Sequence, residues 1–372
     1  MNTNYFSITT PLGQGGIGIV ELFGPDALEI IGKIFRRAKN KTNEIASSLR
    51  TRNDRHNIIK PNKIYLGHIY DDSQLIDEVI IHFTPAKNSL TKLDTVEINA
   101  HGGIMPCRLI GKLLKKFGAK ELSQSAVIKL AQKQGRLDKI QAEALEYLLQ
   151  AQTSLAAAVL LDQYNGALSK ALKSGRNIKA LRASARFGLA LTHPKRILIL
   201  GQPNVGKSTL FNALLGQDRA ITHHLPGTTR DTIEDILAIE GFPFVLVDTA
   251  GLRASTKDTI EKIGMAYARK EIPKADAILL VAEQGEPASL THLFNQIRRK
   301  TQAPVIAVMN KADKRAKIQK QKYGIGNKLI PVSALKQTGI NELKKEILNA
   351  CGLDRFRHKP GQPVIFSKNI LN

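Results

Sequence analysis

Residues 201–209 read GQPNVGKST and satisfy the pattern G-x-x-x-x-G-K-[ST] through Gly201, Gly206, Lys207 and Ser208. This stretch constrains the fold most, because such a loop works only between a buried strand and the N-terminus of a helix. The flanks supply both. Residues 196–200 are a short apolar run with the look of a buried parallel strand, and residues 210–215 read as the start of a helix. The glycines let backbone N–H groups curl around a phosphate with no Cβ in the way. Lys207 places a point charge at the β- and γ-phosphates, and the Ser208 hydroxyl can ligate Mg²⁺.

Further landmarks follow in a fixed order. Gly227-Thr228-Thr229-Arg230-Asp231 precedes a predicted strand over 232–239, and a threonine there can close on Mg²⁺ and a γ-phosphate. A second predicted strand, 244–247, ends in Asp248-Thr249-Ala250-Gly251; Asp248 can reach Mg²⁺ through water, and Gly251 offers a backbone N–H. A third, 305–309, leads into Asn310-Lys311-Ala312-Asp313. An aspartate at that spacing can accept from guanine N1–H and the exocyclic amine together, whereas adenine has no proton at N1. Lys311 can lie across the base, and Val332-Ser333-Ala334-Leu335 supports it from a second loop. Five landmarks in this order predict a GTP-binding, doubly wound α/β domain over 195–353. The nucleotide-binding set is Asn204, Val205, Gly206, Lys207, Ser208, Thr209, Thr228, Thr229, Asp248, Thr249, Ala250, Gly251, Asn310, Lys311, Asp313, Ser333, Ala334 and Leu335.

One position carries mechanism. Ras-like GTPases place a glutamine directly after the DxxG glycine to orient the attacking water. Here that residue is Leu252, which cannot hydrogen-bond. Hydrolysis therefore needs another water-orienting group and another source of positive charge. Glu261 is a candidate for the first role and reads equally well as an exposed helical glutamate. The Asn204 amide oxygen can hold a monovalent cation beside the phosphates.

The rest of the chain fits a multidomain α+β and α/β protein. Residues 1–117 read as an α+β domain, with strands at 17–23, 63–70, 77–83 and 95–99 and helices at 26–35 and 104–117. Gly13-Gln14-Gly15-Gly16 either cradles an anion or makes a tight turn, the turn being favoured; His101 before two glycines stands at a helix start. No carboxylate pair emerges from this region. Residues 118–194 are almost wholly helical, and 354–372 form a tail. Lys170, Lys173, Arg176, Lys179, Arg182 and Arg186 recur at helical spacing, as a solvated face or as a groove for a phosphate backbone. The formal net charge of +23 favours a polyanionic partner, most simply RNA, the alternative being a solvated lysine surface or a basic proteome. The apolar runs are too short to span a bilayer, the N-terminus has no signal-peptide pattern, and the two cysteines fit a reducing cytoplasm.

The sequence resembles the MnmE (TrmE) family of tRNA-modification GTPases. Besides the nucleotide motifs, the resemblance lies in three stretches: Thr10-Pro11-Leu12-Gly13-Gln14-Gly15-Gly16-Ile17-Gly18-Ile19, Val96-Glu97-Ile98-Asn99-Ala100-His101-Gly102-Gly103, and Arg136-Leu137-Asp138-Lys139-Ile140-Gln141-Ala142-Glu143-Ala144. It implies a folate-binding-like N-terminal domain, a shortened helical domain and a P-loop GTPase domain. It implies K⁺-stimulated GTP hydrolysis in wobble-uridine (U34) modification of tRNA, with homodimerisation and an MnmG-like flavoprotein partner. By the same resemblance K⁺ sits on Asn204 and on backbone groups of His223, Leu225 and Thr228, with His223 also in the GTP site. Ser208 and Thr229 hold Mg²⁺, and Glu261 joins Lys207 as a catalytic residue by positioning the water. Folate contacts fall on Glu97 and Arg136, while Glu21 stands where the family has an arginine. The family's C-terminal helices and closing Cys-x-Gly-Lys motif have no counterpart, since Cys351-Gly352-Leu353 lacks the lysine and the spacing. The expectation is a C-terminally truncated or divergent member. The alternative is a GTP-switched RNA- or ribosome-binding module that has lost the modification chemistry.

Overall fold

A computed structural model describes residues 3–371 except 12, 14, 39–58, 176, 217–232, 249–269, 284–286 and 315–328. These residues form two compact units, Met1–Glu146 and Tyr147–Asn372. The division falls within the helix Lys139–Leu148, whereas the sequence placed domain borders at 117/118 and 194/195.

The first unit is built on a seven-stranded sheet in the order β3-β4-β5-β6-β2-β1-β7. Its strands are β1 (Tyr5–Ile8), β2 (Ile17–Phe23), β3 (Phe35–Arg37), β4 (Ile64–Asp71), β5 (Gln74–Thr84), β6 (Thr95–His101) and β7 (Lys120–Glu121). All neighbours are antiparallel except β1 and β7. Period-two patterning sets the buried face: Val20 and Leu22, Val96 and Ile98, and Ile81 and Phe83 join Ile30, Ile31, Ile110 and Leu114 in one core. The last four come from the helices Ala27–Ile34 and Ile104–Lys116. His101 does not cap the second helix. It ends β6, its Nδ1 lies 2.7 Å from Asp77 Oδ1, and Gly103 holds the cap position with φ +134°. Asp138 and Gln141 close a reciprocal capping box at 2.9 and 3.1 Å, starting the helix Lys139–Leu148.

The second unit has a six-stranded sheet in the order β13-β12-β11-β8-β10-β9. The strands are β8 (Lys195–Gly201), β9 (Ile233–Ile239), β10 (Phe242–Asp248), β11 (Ala277–Glu283), β12 (Val305–Asn310) and β13 (Leu329–Pro331). Only β9 and β10 pair antiparallel. The central strands are buried on both faces, which is why they read as continuous apolar runs rather than alternating ones. Strand β8 lies between β10 and β11, so the chain leaves it toward one side and later crosses to the other. The loop after β8 therefore stands at a topological switch point, where α/β sheets bind ligands.

One core spans the sheet and helices from well outside 195–353. Ala156 and Val159 of the helix Ser154–Tyr164 and Ala190 and Leu191 of Ile178–Thr192 join Ile197, Leu237, Phe244 and Leu246. The segment read as a tail is part of it. Phe356 packs on Phe187 in a tilted pair with ring centroids 4.8 Å apart and meets Phe242 edge-on at 5.8 Å, and Val364, Ile365 and Phe366 are buried. The buried Gln163 amide donates to Gln362 O at 3.0 Å and accepts from Val364 N at 3.2 Å, while Ile365 N donates to Ser184 Oγ at 3.1 Å. The basic residues Lys170, Lys173, Lys179, Arg182 and Arg186 are exposed; Arg176 lies outside the described residues.

Candidate functional site

The site is assembled at the C-terminal ends of β8, β10, β11 and β12. Gly201 ends β8 opposite Val281, and a Cβ on it would stand 2.2 Å from Val281 O. Gly206 has φ +86°, and a Cβ there would meet Asn310 Nδ2 at 2.4 Å. Both positions exclude a side chain, so the loop comes to lie against β11 and β12. The helix Lys207–Leu215 begins directly after Gly206 with no side-chain cap, and this leaves its first N–H groups available to an anion. Val205 is buried beneath the loop, while Asn204, Ser208 and Thr209 are exposed, Asn204 with φ +64°.

Lys207 donates from Nζ to Gln202 O at 2.8 Å. Burial pushes its ammonium below the ordinary lysine range, partly offset by the Asp248 charge. Asp248 itself is 2 % exposed at the end of β10. A buried carboxylate and a half-buried ammonium flanking exposed hydroxyls fit a phosphate–magnesium group in donor chemistry.

Asn310 is 3 % exposed and acts as a tether. Its Nδ2 donates to Val205 O at 3.0 Å and to Gly206 O at 3.3 Å, and its Oδ1 accepts from Ala334 N at 3.1 Å. It thus joins the phosphate loop to the loop at 333–335. Asp313 is exposed and accepts from the fully buried Ser333 Oγ at 2.5 Å, which aims its carboxylate. Leu335 is 79 % exposed, and Ala334 is buried. Lys311 donates to Asn204 O at 2.8 Å and to Glu283 Oε2 at 2.6 Å. No local pattern singles out Glu283; it faces Asn310 only through the β11–β12 register. The structure therefore brings together Asn204 through Thr209, Asp248, Asn310, Lys311, Asp313 and the 333–335 loop. His223, Leu225, Thr228, Thr229, Thr249, Ala250, Gly251, Leu252 and Glu261 lie outside the described residues.

The chain matches the family model described as 50S ribosome-binding GTPase over residues 196–311 and the model of the GTP-binding protein TrmE N-terminus over 4–133. Over 387 aligned residues it is 34 % identical to the tRNA modification GTPase MnmE of Aquifex aeolicus, covering 93 % of this chain and 81 % of that protein. The chain belongs to the MnmE family. It is 33 % identical to MnmE of Bacillus subtilis, covering 92 % of this chain and 81 % of the relative. As a member it is a GTPase that hydrolyses GTP, and the P-loop domain and the MnmE N-terminal domain account for its two sheets. Among the described residues no helix is long and apolar enough to cross a membrane, and no group of three or more His, Cys, Asp or Glu residues could hold a metal ion.

The structure places the three residues that the family resemblance connects with folate, Glu21, Glu97 and Arg136. The β2–β6 register sets Glu21 directly opposite Glu97, a carboxylate pair that no local sequence pattern reveals. Burial, then the charge of Glu97, pushes the Glu21 carboxyl above its ordinary range. Glu97 accepts from Asn99 Nδ2 at 2.8 Å. Arg136 is exposed in the turn after the helix Gln124–Lys133 and has no ion pair to Glu97 among the described residues. Glu21 puts a carboxylate facing Glu97 where the family resemblance calls for an arginine, so the residues present do not match the family's folate contacts and no step is derived through that ligand. The thiols are quiet: Cys107 is fully buried, and burial pushes the Cys351 thiol up to about 11.

Proposed function

We propose that this chain is a K⁺-dependent GTP hydrolase acting in tRNA wobble-uridine modification in the cytoplasm, as a homodimer with an MnmG-like flavoprotein. The observation that carries the nucleotide part of this reading is the Asn310 tether, and the similarity to MnmE proteins supports the rest. It ties the phosphate loop to the loop beside Asp313, so one rigid frame presents a phosphate cradle and a guanine-selective carboxylate together. Asp313 accepts from the base, with Lys311 across its face and Ala334 and Leu335 alongside. The N–H groups of Val205, Gly206, Lys207, Ser208 and Thr209 surround the phosphates, and Lys207 stabilises charge that grows on the phosphate oxygens. Ser208 and Thr229 hold Mg²⁺, and Thr249, Ala250 and Gly251 extend the γ-phosphate contacts. Glu261 orients the attacking water in place of the glutamine that Leu252 replaces. Asn204 and the backbone of His223, Leu225 and Thr228 hold K⁺. When bound, the K⁺ would supply the positive charge an arginine finger gives elsewhere, and the Mg²⁺ would neutralise the phosphates.

The exposed basic residues of the helices Ala167–Ser174 and Ile178–Thr192 favour a second reading, a GTP-switched RNA- or ribosome-binding module without the modification chemistry. Complementation separates the two. The full chain, expressed in a cell lacking its MnmE, should restore wobble-uridine modification as read by mass spectrometry of tRNA. Unmodified tRNA from cells holding normal levels of the folded, GTP-hydrolysing chain would reject the first reading and support the second.

A further inference from the structure

We propose that Glu283 is a positioning residue that fixes the Lys311 ammonium between the base pocket and the phosphate loop. Glu283 is the last residue of β11 and pairs in register with Asn310 of β12. Its Oε2 accepts from Lys311 Nζ at 2.6 Å, while the same nitrogen donates to Asn204 O at 2.8 Å. Two of the three ammonium donors are thereby directed, one to a strand end and one to the loop. A lysine stem has four rotatable carbons and is a poor anchor unless its head is held. Lys311 also has φ +59°, a backbone conformation unfavourable for a side chain of this size and kept only where the surroundings enforce it.

The pair is partly open to solvent, with side-chain exposures of 26 % for Lys311 and 40 % for Glu283. An ion pair so exposed adds little to folding stability. Its consequence is geometric. Releasing the ammonium frees the stem that lies across the base, and it also removes a brace from Asn204, whose φ of +64° is itself strained. The proposal rests on reading 310–313 as the base-binding segment.

The test is a double-mutant cycle on GDP affinity with the full chain, using Glu283→Ala, Lys311→Ala and the pair together. Each single change should weaken GDP binding by about 5- to 20-fold, and the double change should weaken it no further than Lys311→Ala alone. Glu283→Gln, which keeps an acceptor but no charge, should fall between wild type and Glu283→Ala. The thermal midpoint of the nucleotide-free protein should be unchanged in Glu283→Ala. Wild-type affinity in Glu283→Ala, or losses that simply multiply in the double variant, would overturn the proposal. Asp313→Asn, measured alongside with GDP and xanthosine diphosphate, judges the base-pocket reading separately. That variant should shift preference toward xanthine, and an unshifted preference would fault the pocket assignment whatever the cycle shows.

Discussion

Burial disfavours the charged form of Lys207, and the Asp248 carboxylate only partly restores it. Bound phosphates favour that charged form, so the lysine pKa is higher in the complex than in the empty site. Where the free lysine is partly neutral, binding must take up a proton, and GDP affinity should fall as pH rises through the lowered pKa. Calorimetry in two buffers of different ionisation enthalpy should register this uptake at alkaline pH. Lys207→Arg, which cannot lose its proton, should lack the uptake, while loss of the guanine N1 proton is common to both proteins and cancels. Equal uptake in the two proteins would contradict the assignment. At this scale the phosphate loop was legible because its residues are contiguous and each answers a local demand. The motif spacing marks Asn310 as part of the nucleotide-binding set, and only the fold shows that its amide bridges two loops. Glu283 and the Glu21–Glu97 pair were invisible, because register across strands distant in the chain creates them.

The elements of the second unit follow from patterning, but the attachment of its last segment does not. Residues 353–367 have no regular period, so nothing in their spacing separates an anchored strap from a free tail. Their anchors are Gln163, Ser184, Phe187 and Thr192 on two helices far back in the chain, Thr192 Oγ1 donating to Phe366 O at 2.7 Å. Gly188 shows how close the approach is: a Cβ there would stand 2.1 Å from Ile365 O. Gly188→Ala should therefore lower stability by about 1–3 kcal/mol through overpacking, although alanine is the better helix former. A shifted denaturant midpoint at constant slope would register it. An unchanged or raised midpoint would mean that the strap does not press on this helix. The same packing explains why the helices Ser154–Tyr164 and Ile178–Thr192 share a core with the GTPase sheet.

At the scale of the whole molecule, motif order announced the GTPase fold, and family membership agrees with it. What the order of motifs could not reveal is how hydrolysis proceeds with Leu252 where a catalytic glutamine would stand. The account answers with a potassium ion seated on Asn204, an exposed residue of the phosphate loop whose backbone Lys311 holds in place. The most direct test is GTP turnover by the purified full chain with Mg²⁺ in equal concentrations of KCl and NaCl. The account predicts turnover faster in K⁺ by about 10-fold or more, the range expected when a preorganised positive charge at the transition state is supplied or withheld. Equal rates in the two salts would contradict it.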